Sequence, residues 1–205
     1  MTRRYDAVLF DFDGVLADTE PVHWACWREI LEPLEIDLTW EVYAANCIGV
    51  RDGDMLPFLA SLARRPVIAE SLELSYERKR ALFRSRVAET NPCAPETIEL
   101  IRSLTDYRLA VVTSSGRLEV EPVLERAGIR ERLAAMVFGE DVTRHKPAPD
   151  PYLLAVSRLK ATCPLVVEDS AAGVASARAA GLDVLQIGSS SDVPSMLIAK
   201  LTEAS

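Results

Sequence analysis

The sequence predicts an α/β protein in which a doubly wound parallel sheet is interrupted, after its first strand, by an all-helical insert. Three observations predict it. An apolar run from Ala7 to Phe10 precedes the pair Asp11 and Asp13 and reads as a short buried strand. Residues 20–90 carry helical spacing and no strand pattern. From Pro95 onward, short apolar runs alternate with helical stretches, which implies parallel pairing through right-handed crossovers.

The elements follow in order. Glu20 to Leu34 places Val22, Ala25, Ile30 and Leu34 at helical intervals, with Trp24 and Trp27 added, and stops near Pro33. Thr39 is an N-cap for a helix through Cys47, with Glu41 in its first turn. The glycines at 49 and 53 mark a loop, and Asp54 caps a helix through Arg64, with Pro57 in its first turn. A long helix spans roughly Ile68 to Glu89. Its basic set of Arg78, Lys79, Arg80, Arg84 and Arg86 reads mainly as a solvated face.

Pro95 suits the first turn of a helix ending near Leu104. Arg108 to Thr113 is a strand, and Ser114-Ser115-Gly116 turns into a helix closed by Gly128. Ala135 to Phe138, Leu165 to Val167 and Val184 to Ile187 are further strands. Helices over 151–160, 171–180 and 193–202 separate them and close the chain. This places a core in residues 1–18 and 91–205 and a helical cap in 19–90.

The bulk numbers exclude several classes. The 205 residues suffice for one sizeable core with an appendage. A net charge of −8 argues against nucleic acid or an anionic membrane as partner. Cys26, Cys47, Cys93 and Cys163 form no CxxC pair and read as ordinary thiols of a reducing compartment. Arg3 and Arg4 precede an apolar patch, but Asp6, Asp11 and Asp13 break it too early for a signal peptide. No apolar run approaches the ~20 residues that span a bilayer. The expected location is cytoplasmic. Trp24, Trp27 and Trp40 are cap core or an interface, so the expected state is a monomer or weak homodimer.

In a parallel sheet the ligand site lies beyond the carboxyl ends of the strands. Here those ends carry Asp11 and Asp13, then Thr113 and Ser114, then a loop with Lys146, then Glu168 and Asp169. In extended chain, residues i and i+2 share a side, so Asp11 and Asp13 can reach one small volume. Gly14 lets the backbone turn beyond them. Two carboxylates that close need a cation or a shared proton. Each of these residues alone has a plain structural explanation as a turn cap, a surface lysine or a helix cap. Together they place carboxylates, a hydroxyl and an ammonium on one rim.

These residues resemble the motifs of the haloacid dehalogenase superfamily, in its phosphatase and phosphomutase branch. The first motif stands as Asp11-Phe12-Asp13-Gly14-Val15-Leu16-Ala17-Asp18 and the second as Val111-Val112-Thr113. The lysine motif is Lys146-Pro147-Ala148-Pro149-Asp150, and the acidic motif is Glu168-Asp169-Ser170-Ala171-Ala172-Gly173. The resemblance runs in family order over nearly the whole chain and implies a Rossmann-like core with a small α-helical cap. It implies that Asp11 attacks phosphorus and becomes an aspartyl phosphate, while Asp13 protonates the leaving oxygen and then activates water. It implies Mg²⁺ held by Asp11, the Asp13 carbonyl and Asp169, with Glu168 as a direct or indirect partner. Thr113, the Ser114 N–H and Lys146 would bind the phosphoryl oxygens. Thr19 and His23 match the cap hinge, Gly49 the cap loop, and Lys79 a cap lysine facing the site. Arg51 lies near the loop without matching a family position.

A halide leaves without a proton but an alkoxide does not, so Asp13 favours phosphoester work over dehalogenation. The leading expectation is a Mg²⁺-dependent phosphatase for a small phosphorylated metabolite, a sugar phosphate or phosphoglycolate. A β-phosphoglucomutase-like mutase is the alternative, disfavoured because Ile48 stands where those enzymes carry Lys before the loop glycine. A phospho-receiver domain shares the chemistry but has no use for the helical insert. An inactive scaffold is not expected, because no motif residue is missing.

Overall fold

The computed structural model describes residues 4–89 and 91–203, so Arg3 and the extreme ends of the proposed domain boundaries lie outside the described residues. Five strands form one sheet: β1 (Ala7–Phe10), β2 (Arg108–Val112), β3 (Leu133–Val137), β4 (Pro164–Glu168) and β5 (Asp183–Gln186). Their order is β3-β2-β1-β4-β5, and every pairing is parallel. β1 therefore has a neighbour on each side and helices over both faces, and all four of its residues are buried. That is why it reads as a continuous apolar run rather than an alternating one.

The pleat sorts side chains by parity. Val8, Phe10, Leu109, Val111, Leu165 and Val167 join one apolar core, and Ala7, Leu9, Ala110, Val112 and Val166 join the other. Helices α5 (Pro95–Ser103), α6 (Arg117–Arg126) and α9 (Val193–Glu203) supply the first face. Helices α7 (Asp150–Leu159) and α8 (Ala171–Ala179) cover the second. Gly128 and Gly181 follow α6 and α8 at φ of 65° and 76°, as left-handed helix ends require.

Between β1 and α5 lie four helices: α1 (Glu20–Leu31), α2 (Trp40–Asn46), α3 (Leu56–Ser61) and α4 (Ala69–Glu89). Thr39 caps α2 by accepting the Val42 N–H at 3.3 Å. The expected helix from Asp54 is instead a 3₁₀ turn over Asp52–Met55 followed by the shorter α3, because Pro57 fits only in a helix's first turn. These helices bury Trp27, Leu31, Leu38, Tyr43 and Leu59 in a core of their own. Cys26 on α1, with Phe83 and Val87 on α4, packs instead with the sheet's first core. The helical layer is thus anchored on the sheet at one end and stands over the strand ends at the other. The four cysteines are free thiols. Among the described residues no helix is long and apolar enough to cross a membrane.

Candidate active site

The floor forms where three central strands end. The Asp11 N–H donates to the Val167 carbonyl at 3.0 Å, which extends the β1–β4 pairing to the first carboxylate. Lys146 reaches in beneath it, buried, donating to Asp11 Oδ1 at 2.9 Å, the Val112 carbonyl at 3.0 Å and Glu168 Oε1 at 2.5 Å. Glu168 is fully buried and its oxygens are well used. Oε1 also accepts the Tyr152 hydroxyl at 2.7 Å, while Oε2 accepts the Asp169 N–H, the Ser170 N–H and the Ser170 hydroxyl at 3.1–3.2 Å. So Glu168 fixes the lysine and the turn into α8.

That turn works because Gly173 has no side chain. A Cβ there would lie 1.7 Å from Glu168 Oε1. Gly173→Ala is expected to cost about 1–3 kcal/mol of stability by overpacking. Denaturant unfolding checks this, and an unchanged midpoint would contradict it. Gly14, at φ of 74°, plays a similar part on the other side, where a Cβ would lie 2.0 Å from Asp169 Oδ2.

Asp11, Glu168 and Asp169 can each place an oxygen within 4.8 Å of the others. Asp169 Oδ1 is buried without a hydrogen-bond partner among the described residues. Hard carboxylate oxygens and an orphaned acceptor fit a divalent cation of the magnesium type. The electrostatics agree. Burial, then the charges of Glu168, Asp169 and Asp13, push the Asp11 carboxyl well above the usual carboxylate range, with Lys146 opposing them. Burial and Glu168 push Asp169 up to about 6. Burial disfavours the Lys146 charge, but Asp11 and Glu168 outweigh it and hold the ammonium protonated.

Asp13 has a different environment. Its Oδ1 accepts from the Thr19 hydroxyl and lies 3.5 Å from His23 Nε2. Its Oδ2 accepts from the Ser115 hydroxyl at 2.7 Å and the Thr113 hydroxyl at 3.4 Å. Burial works against the Asp13 charge, but His23, then the Thr19 and Ser115 hydroxyls, outweigh it and hold the carboxyl at about 2. Asp11 and Asp169 thus hold a proton more readily than Asp13 does.

Above the floor is a cavity of about 190 Å³ roofed by the helical layer. His23 stacks on Phe83 at 3.9 Å between ring centroids. Lys79 is fully buried, bonded to His23 Nδ1 and Asp52, and Asp52 also accepts the Trp27 indole N–H at 2.9 Å. Arg80 on α4 lies 3.5 Å from Glu119 on α6, so an ion pair spans helical layer and core. Gly49, at φ of 77°, brings the roof loop onto Ser170, where a Cβ would approach to 2.7 Å.

A family model described as haloacid dehalogenase-like hydrolase matches residues 8–187. The chain belongs to that family. Among its relatives, a phosphorylated carbohydrates phosphatase of Thermotoga maritima is 34% identical over 87% of this chain and 82% of its own length. A fructose-1-phosphate phosphatase of Escherichia coli is 32% identical over 91% of this chain and 98% of its own. The crystal structure of CbbY from Rhodobacter sphaeroides in complex with phosphate superposes with a TM-score of 0.77 at 29% identity, covering 88% of this chain and 84% of that one. This haloacid dehalogenase-like chain thus has named phosphatases as relatives, and the acidic cluster suits the divalent metal typical of the family.

Within this hydrolase, Asp11, Asp13, Ser114, Lys146, Asp169, His23, Gly49 and Arg51 line the cavity. Thr113, Thr19, Glu168 and Lys79 stand behind that wall. Thr113 is buried, and its hydroxyl accepts the Ser115 N–H at 2.9 Å. Lys79, expected to face the site, is instead buried behind it by His23 on α1 and by Asp52, and the solvated-face reading fails for Arg80, which pairs with Glu119 on α6. Sequence reasoning missed Glu20, Tyr43, Asp52, Ser115 and Glu119. Only Ser115 carried a signal, as the second hydroxyl of the Ser114-Ser115-Gly116 turn.

Proposed function

We propose that the chain is a Mg²⁺-dependent phosphatase that hydrolyses a small phosphomonoester, of the sugar phosphate type, through an aspartyl phosphate on Asp11. The observation that carries this reading is the convergence of Asp11, Asp13, Lys146 and Asp169 on one roofed cavity at the carboxyl ends of the strands. The names of the relatives support the substrate class.

Asp11 and Asp169 side chains, with the Asp13 carbonyl, would hold the metal, and Glu168 would steady the cluster through Lys146 and the Ser170 turn. When bound, the metal neutralises phosphoryl charge and aligns the group for in-line attack. Lys146 and the Ser114 N–H bind phosphoryl oxygens, and Thr113 keeps the turn in shape through Ser115. Asp11 attacks phosphorus, and the ester P–O bond breaks. Asp13 gives its proton to the departing oxygen. A dianionic phosphoryl group beside Asp13 raises that carboxyl from its low resting value, so Asp13 takes up a proton from solvent as the substrate binds. Asp13 then takes a proton from water as the water attacks phosphorus, and the Asp11–phosphorus link breaks to release phosphate. Thr19 and His23 hold Asp13 in place, while the roof formed by residues 19–90 excludes bulk water.

The phosphatase reading is preferred to a mutase by one feature. Lys79, the deeply buried cation of the helical layer, is already held by Asp52 and His23. It is not free to seat a second phosphate, and Ile48 supplies no replacement. We also assign the protein to the cytoplasm as a monomer or weak homodimer, a reading its free thiols and scattered exposed apolar residues support.

A phosphate-release screen over small phosphometabolites, with and without Mg²⁺, tests the proposal. Metal-dependent release of free phosphate from sugar monophosphates is expected. Isomerised sugar phosphate with little free phosphate would replace it by the mutase reading, and no turnover at all would refute it.

A further inference from the structure

Two buried atoms face each other across the seam between roof and floor. They are Arg80 Nε on α4 and Glu119 Oε1 on α6, 3.5 Å apart, and neither has a hydrogen-bond partner among the described residues. Helix α4 belongs to the helical layer and α6 to the sheet's first face, and the two pack together. A buried carboxylate oxygen or guanidinium N–H without a partner is costly, so each depends on the opposite charge across the seam.

Glu119 is also tied to the reacting end of the cavity. It stands in the first turn of α6, and its Oε2 accepts the Gly116 N–H at 3.2 Å. Gly116 closes the turn whose Ser114 and Ser115 line the cavity, and the Ser115 hydroxyl holds Asp13. One carboxylate thus braces that turn through one oxygen and meets the roof through the other. The guanidinium lies close on the same turn. A Cβ on Gly116 would stand 3.3 Å from Arg80 Nη2, 3.4 Å from Glu119 Oε2 and 3.8 Å from Glu140 Oε2. Arg80 also has the exposed Glu77 at 3.5 Å and the Tyr76 ring at 5.6 Å from its centroid.

We propose that Arg80 and Glu119 are a positioning pair that couples closure of the helical layer to the shape and charge of the phosphoryl-binding turn, Ser114 to Gly116. This rests on the phosphatase reading and adds to it two residues that act through the turn rather than on the substrate. An acidic residue in a helix's first turn is favourable by itself. Here its charge stands behind a turn that must receive a dianion, and like charges repel. Arg80 cancels that charge only while the roof is down. With the roof raised, Glu119 opposes the dianion, and its Oε2 can leave Gly116 for water. Closure and phosphoryl binding therefore favour each other. A pair held at 3.5 Å is loose enough to part at each turnover, as a lid requires.

A double-mutant cycle tests this with Mg²⁺ present. Phosphate release from the sugar monophosphate turned over fastest is measured for the wild type, Arg80→Ala, Glu119→Gln and the double variant, with inorganic phosphate as a competing inhibitor. Glutamine keeps an acceptor for the Gly116 N–H and removes the charge. Arg80→Ala is expected to lower kcat/KM by about tenfold and to weaken phosphate inhibition by about tenfold. Glu119→Gln is expected to lose about threefold, and in that background Arg80→Ala should cost less than about twofold on either measure. If Glu119→Gln does not fold, phosphate inhibition decides alone: about tenfold weaker in Arg80→Ala and within about threefold of wild type in Arg80→Lys. Losses that add across the two sites, or a loss in Arg80→Ala with phosphate inhibition untouched, would place Arg80 on the leaving group instead. Either result, or no loss at all, overturns the inference and leaves the phosphatase reading standing. No release from any sugar monophosphate by the wild type overturns both.

Discussion

Asp11→Asn is expected to abolish turnover and to leave the fold intact. The carboxylate proposed to attack phosphorus is replaced by an amide that cannot, so the loss should exceed about 10⁴-fold, the scale on which an essential nucleophile acts. Stability should hold or rise. Asp11 lies buried beside Glu168 and Asp169, and its carboxyl is pushed far up, so the wild type keeps a costly like-charge cluster. An asparagine oxygen can still accept the Lys146 bond that Asp11 Oδ1 accepts at 2.9 Å. Phosphate release measured together with thermal unfolding separates the two effects. A variant with near-full activity would remove Asp11 from the mechanism.

Withdrawal of divalent metal has the second large effect. Chelation is expected to stop phosphate release, and Mg²⁺ to restore it. A readout independent of activity comes from stability. A cation that binds the folded state alone at 100 times its Kd stabilises it by about 2.7 kcal/mol. Mg²⁺ should therefore raise the melting temperature, and Asp169→Asn should reduce that rise. The sign with pH follows from the carboxyls. Asp169 is raised to about 6, so protons compete with the metal below that value, and the Mg²⁺-induced rise should shrink as pH falls through it. An equal rise at pH 5 and pH 8, or none at either, would contradict the proposed donor set.

Much of this was legible in the sequence for physical reasons. A central parallel strand must be apolar throughout, so Ala7 to Phe10 announced itself, and strand ends must carry the polar chemistry, so Asp11, Lys146 and Asp169 could be gathered before any coordinates. The roof was less legible. Lys79 was picked out only by its match to a cap lysine, and Arg80 read as a solvated face, because helical periodicity does not reveal which acidic groups close over them. Glu20 figured only as the residue where a helix begins. Its position at the cavity depends on Tyr43, reached only once α1 and α2 pack. Thr113 was expected on the phosphoryl group; its hydroxyl accepts the Ser115 N–H and lies 3.4 Å from Asp13 Oδ2, partners that spacing alone does not reveal.

The most direct measurement is covalent. Enzyme mixed with Mg²⁺ and a turned-over sugar monophosphate, acid-quenched within the first turnover and mapped by peptide mass, should carry a phosphoryl group on Asp11 and none in the Asp11→Asn variant. A phosphoryl group on any other residue, or turnover that proceeds with Asp11 never modified, would contradict the account.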